Sequence, residues 1–137
     1  MRTAIAALAV VLAVPAVGGA AAPSDTTAVR SVLLSQASLM KQGRWRQMYA
    51  TYTPRYRAQC PYSQFVQNGR QSRALLGPNF RLDRIHVRIR PGRRQALASY
   101  RFVRNGRPLA TVRFDHGDLY AKIGNRWFDE VDPVSAC

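Results

Sequence analysis

Residues 95–114, QALASYRFVRNGRPLATVRF, decide the fold. Ala96, Ala98, Tyr100 and Phe102 alternate with their neighbours before Asn105-Gly106, and Ala110, Val112 and Phe114 alternate after it. Period-two alternation places each set on one face of a strand. Asn-Gly between two such runs signals a tight hairpin, because both central residues of a type I′ turn need positive φ. Working backward, Ile85, Val87 and Ile89 share one face of an earlier strand that ends at Pro91-Gly92. Working forward, the apolar parity flips to Leu119, Ala121 and Ile123. A one-residue bulge near His116-Gly117 would return those three to the inner face, with a full hairpin as the competing reading. Gly124-Asn125 then turns the chain into a last strand from Trp127 to Val131.

Upstream the period lengthens. Ser24 or Asp25 caps a helix whose apolar residues Val29, Val32, Leu33, Leu39 and Met40 recur at three- and four-residue steps, and Gly43 stops it. A short helix follows with Trp45, Met48, Tyr49 and Tyr52 on one face. Pro54 ends it and, after Thr53, can open another turn. A further helix from Cys60-Pro61 carries Tyr62, Phe65 and Val66 inward and closes at Gly77-Pro78. Helices first and an antiparallel meander second predict an α+β domain, with N-terminal helices packed on a curved antiparallel sheet.

The start of the chain reads as an address. Met1-Arg2, an apolar run from Ala4 to Val17 broken by Pro15, and the small residues Gly18 to Ala22 have the layout of a signal peptide. Cleavage after Ala20 or Ala22 makes residues 1–22 the signal and 23–137 a single α+β domain. The run is shorter than the roughly 20 apolar residues that span a bilayer, and no cysteine lies near the cleavage region to carry a lipid. The expected location is secreted, periplasmic or otherwise extracytoplasmic. In such an oxidising place Cys60 and Cys137, the two cysteines, are expected to pair within the chain. The alternative is a buried Cys60 thiol and a tail thiol that pairs between chains.

The formal charge is +14, and every base except Lys41 and Lys122 is an arginine. Between Arg30 and Arg113 the single acid is Asp83. If Ile85, Val87 and Ile89 face the helices, then Arg84, His86, Arg88 and Arg90 face outward, with Arg101 and Arg113 on the same side of their strands. Like charges on adjacent strands destabilise a sheet unless something neutralises them. Such a face suits a polyanion: an anionic cell-envelope polymer or lipid head groups, rather than a specific nucleic acid. It suits a self-complementary contact poorly, so a monomer or weak dimer is expected.

Catalytic and metal signatures are sparse. Asp83 shares strand parity with Ile85 and is the one candidate base, although Arg81 and Arg84 beside it favour an ordinary ion pair. His86 and His116 match no ligand spacing, and neither a P-loop nor a dinucleotide fingerprint occurs, so no metal or cofactor is expected.

The pattern Gly43-x-Trp45-x-x-Met48-Tyr49-x-x-Tyr52-x-Pro54, with the closing Gly124-x-x-Trp127, resembles the nuclear transport factor 2-like superfamily, which includes ketosteroid isomerases and polyketide cyclases. The chain departs from it at Arg44, where members often carry an acid. The resemblance implies a sheet wrapped around the helices, with a pocket at the open end of a cone; a cystatin-like or other helix-on-sheet domain is the alternative. Trp45, Tyr49, Tyr52 and Tyr100 would line that pocket or simply fill the core. The resulting expectation is an exported non-catalytic binding or accessory domain whose arginine face takes polyanions. The alternatives are a cone pocket for a small apolar ligand, or a lyase- or isomerase-type enzyme using Asp83.

Overall fold

The computed structural model describes residues 23–130 and 137. The expected signal, residues 1–22, and Val131 at the end of the last expected strand lie outside them. Four helices precede a five-stranded antiparallel sheet. Helix α1 spans Asp25–Gln42; the Ser24 side chain accepts from the Thr27 N–H, and Gly43 at φ 68° supplies the left-handed end. Helix α2 is Trp45–Tyr49, and α3 is Pro54–Gln59 with Thr53 as its cap. Helix α4 covers Tyr62–Leu76, with Pro61 at the cap position, one residue before the first helical turn. Tyr52 lies beyond α2, in an extended segment that bridges to Asp129.

Strands β1 (Phe80–Ile89), β2 (Gln95–Arg104), β3 (Arg107–Val112), β4 (Asp118–Ile123) and β5 (Arg126–Glu130) follow. The order is β1-β2-β4-β5, with β3 also paired to β2. Asn105 and Gly106 both adopt positive φ, 51° and 75°, which joins β2 to β3 by the expected tight hairpin.

Two irregularities set which side chains face the helices. The first separates β3 from β4. Val112 pairs with Tyr100 and Asp118 pairs with Ala98, so Arg113 to Gly117 all lie opposite Ser99 alone. A 3-10 turn at Phe114–His116 occupies this gap where a one-residue bulge was expected. Because the surplus is an even number of residues, parity is kept across the break. Asp118, Tyr120 and Lys122 therefore face inward, with Tyr120 fully buried, while Ile123 is 47% exposed. The inward placement expected of Leu119, Ala121 and Ile123 is thus corrected. Phe114 leaves the strand altogether and lies 5.1 Å from the Arg88 guanidinium.

The second irregularity lies in β1. Asp83 pairs with Arg101 and His86 with Ser99, and Arg84 takes φ 49° in the extra residue between them. That bulge puts Phe80 and Leu82 on the inner face with Ile85, Val87 and Ile89. Asp83 is turned to the outer face, against the parity assumed from sequence.

The main core joins Val29 and Leu33 of α1 to Ala96, Ala98, Tyr100, Tyr120 and Trp127 of the sheet. Each large aliphatic side chain buried there contributes about 1.5–3 kcal/mol. A second cluster, Trp45, Met48, Cys60 and Phe65, holds α2 to α4 together, with Tyr49, Tyr56 and Tyr62 packed around it. Cys60 and Cys137 form a disulfide across 77 residues, with Cα atoms 5.0 Å apart, and so tie the last residue to this cluster.

Candidate functional site

Beneath α1 and the inner face of the sheet is a cavity of ≈ 80 Å³, bordered by Gln36, Met40, Tyr52, Tyr100, Asp118 and Asp129. One water needs about 10–15 Å³ measured in this way, so the space admits a small functional group or several waters. The remaining lining is apolar, from Leu33, Met48, Phe80, Leu82 and Phe102 among others.

The polar side of the cavity is built by strand parity. Trp127 and Asp129 are the buried residues of β5, and Asp118 and Tyr120 share the inner face of β4. Tyr100 comes from β2, where its hydroxyl donates to Asp118 Oδ2 at 2.6 Å. Gln36 projects from α1; its Nε2 donates to Asp129 Oδ2 and to Thr51 Oγ1, both at 2.9 Å. Gln36 Oε1 in turn accepts from the Tyr120 hydroxyl at 3.2 Å, which fixes the amide orientation. The Tyr52 hydroxyl also hydrogen-bonds Asp129. Backbone bonds from Asp129 N–H to the Thr51 carbonyl (2.9 Å) and from Thr53 N–H to the Asp129 carbonyl (2.8 Å) hold Tyr52 in place.

Two neighbouring carboxyls removed from bulk water cannot both ionise cheaply. Burial, and then the charge of Asp118, push the Asp129 carboxyl well above the usual carboxylate range, against the opposing hydrogen bonds from Gln36 and Tyr52. Burial likewise raises Asp118, opposed by the Tyr100 hydroxyl. Burial and the charge of Asp118 thus both favour the protonated form of Asp129. Burial and the nearby carboxyls raise the Tyr52, Tyr100 and Tyr120 phenols above their ordinary value, so all three remain donors. The cavity thus presents two carboxyls whose affinity for a proton is raised, braced by hydroxyls and an amide, an arrangement suited to donating to, or exchanging a proton with, an oxygen-bearing ligand.

Of the four aromatics considered from sequence, Tyr52 and Tyr100 border this cavity. Trp45 and Tyr49 belong to the helical cluster. Trp45 packs against Gly69, and the Tyr49 hydroxyl donates to the carbonyls of Arg57 and Cys60. Asp83 is away from the cavity. It pairs with Arg101 on the outer face and accepts from the Arg84 N–H, and these contacts hold its carboxyl below the ordinary value. Arg84, Arg101 and Arg113 meet on that outer face, whereas Arg88 stacks on Phe114 and Arg90 bonds Gln95 at the strand end. Among the described residues no group of three or more His, Cys, Asp or Glu is placed to hold a metal ion.

Asp118, Asp129 and Gln36 were not singled out from the sequence. For Asp129 the signal was present, since Trp127 sets the inner parity of β5 and Asp129 follows two residues later. For Asp118 it was hidden by the length of the break before β4. Scans of protein-family models, of curated proteins and of solved structures each find no match to this chain.

Proposed function

We propose that this chain binds a small, largely apolar ligand carrying a carbonyl or hydroxyl oxygen, and that the ligand oxygen enters the inner cavity beside Asp118 and Asp129. The observation that carries the reading is the carboxyl pair, Asp129 buried and Asp118 half-buried, braced by Tyr100, Tyr52 and Gln36 and open to an apolar-walled space. A protonated carboxyl donates to the ligand oxygen, and its ionised neighbour is placed to accept a proton. The acid–base role considered for Asp83 passes to this pair in the proposal. The helix-then-sheet order and the interrupted strand support the cone-like family as its frame.

Export belongs to the same proposal. It is supported by the leader-like composition of residues 1–22 and by the Cys60–Cys137 disulfide, which persists in oxidising surroundings. Among the described residues no helix is long and apolar enough to cross a membrane.

The test uses phenol and cyclohexanone as probes in thermal unfolding. Ala37 borders the cavity, so Ala37→Met fills it without touching the carboxyls. The expected result is a probe-dependent rise in Tm for the native chain that Ala37→Met abolishes. An equal rise in both proteins places binding elsewhere and contradicts the proposal.

A further inference from the structure

The outer face of the sheet carries a second recess, separate from the inner cavity. Its size is ≈ 430 Å³, and its lining includes Arg84, His86, Arg101 and Arg113 together with Ser99, Thr111, Phe114 and Asp115. The two irregularities of the sheet create it. The β1 bulge swings Arg84 out at φ 49°, and the 3-10 turn after β3 lifts Phe114 and Asp115 to form a wall. Between them, His86 pairs directly across from Ser99, and Arg101 from Thr111.

Three guanidinium groups and an imidazole therefore face two carboxylates, and one of those, Asp83, is already engaged by Arg101. Among the described residues Arg84 and Arg113 form no ion pair with an acidic side chain. Arg101 adds a separate observation: its Nε is buried without a hydrogen-bond partner. An unpaired buried donor is costly, so the ion pair with Asp83 leaves part of the donor capacity of Arg101 unused.

We infer that this recess binds a phosphate group, in particular the phosphomonoester of a soluble ligand. A carboxylate offers two coplanar oxygens, which one guanidinium fork satisfies. A phosphomonoester offers three oxygens in three directions and a charge of about −1.5 to −2, matching guanidinium groups that arrive from β1, β2 and the end of β3. The Ser99 and Thr111 hydroxyls add neutral donors on the floor. A soluble source fits better than a membrane surface, because the large exposed apolar residues Leu34, Leu75, Leu109 and Ile123 lie on four different elements and give no joint anchor.

The experiment measures binding of inorganic phosphate and of glycerol 3-phosphate by calorimetry at fixed ionic strength. It compares the native protein with Arg84→Gln/Arg101→Gln/Arg113→Gln and with a control of equal charge loss, Arg30→Gln/Arg55→Gln/Arg70→Gln, all exposed helical positions. Saturable binding that falls by about tenfold or more in the first triple and by less than about twofold in the control supports the site. Arg113→Gln alone, at an exposed position, gives a weaker loss in the same direction and guards against misfolding of the triple. Equal losses in both triples would show attraction to net charge alone and overturn the inference. Acetate competing as well as phosphate overturns it too. So does capture by phosphatidic acid vesicles when the soluble phosphates fail to bind.

Discussion

The Tyr100 hydroxyl meets Asp118 Oδ2 at 2.6 Å, across the point where the strand beside β2 is interrupted. Tyr100 pairs with the last residue of β3 and Asp118 begins β4, so the bond spans the five residues that the 3-10 turn accommodates. Removing the donor leaves a half-buried carboxyl with less support. Tyr100→Phe is expected to raise the apparent pKa of Asp118 and to destabilise the fold by about 1–3 kcal/mol, measured by urea unfolding near neutral pH. An unchanged midpoint would mean that the bond carries little of the site.

Two aspartates should respond to pH with opposite sign. Asp129 has a raised pKa in the fold, so the folded chain holds a proton that the unfolded chain releases. Stability therefore falls as pH rises from the unfolded value of 3.8 through the folded one. Asp129→Asn should raise Tm at neutral pH, with the gain vanishing below the unfolded value. Asp25 is lowered, first by the hydrogen bond from Lys122 Nζ at 2.7 Å and then by that from Trp127 Nε1 at 3.1 Å. Its stabilisation is present above 3.8 and is lost as pH falls through the folded value. Asp25→Asn should accordingly lower Tm at neutral pH and leave it unchanged in strong acid. Thermal scans across pH check both signs.

The helical cluster makes its own prediction at Gly69. Alanine there gains up to about 1 kcal/mol of helix propensity. Its Cβ, however, would sit 2.7 Å from Trp45 Cζ3, against a ring held in a packed cluster. Overpacking of this kind costs about 1–3 kcal/mol, so Gly69→Ala should destabilise on balance. A raised Tm would show that Trp45 moves aside freely.

The Cys60–Cys137 bond closes a loop of 77 residues. On the chain-entropy model its removal should cost about 4–5 kcal/mol. Cys137→Ser should lower the urea midpoint by a corresponding amount, and a reducing agent should affect the native chain in the same way but leave the variant unaltered. Identical midpoints for native and variant under oxidising conditions would refute this.

Much of the architecture was legible because local chemistry and tertiary structure agree. Ser24, Gly43 and Thr53 mark helix ends by capping, and Asn105-Gly106 marks a turn by positive φ. The interior site was less legible because strand parity is a running count that one bulge can reset. An apolar pattern at Leu119, Ala121 and Ile123 suggested an inner face, yet the register across the break gives that face to Asp118 and Tyr120. At Arg84, by contrast, a single extra residue does reset the count and turns Asp83 outward. In both places the face is read wrongly from the sequence because the number of residues absorbed by an irregularity has no clear sequence signature. Gln36, on the buried side of α1, looks like any exposed helical glutamine until Asp129 and Tyr120 are brought to it by the sheet.

Carboxyl-carbon NMR on aspartate-labelled protein, followed through a pH titration, tests the proton-bearing pair most directly. The expected result is that Asp118 and Asp129 titrate together, above the range in which Asp25 and Asp83 ionise, and that Asp129→Asn returns Asp118 toward ordinary behaviour. If both carboxyls are fully ionised in the range of an exposed aspartate, the cavity holds no shared proton and the proposed site fails.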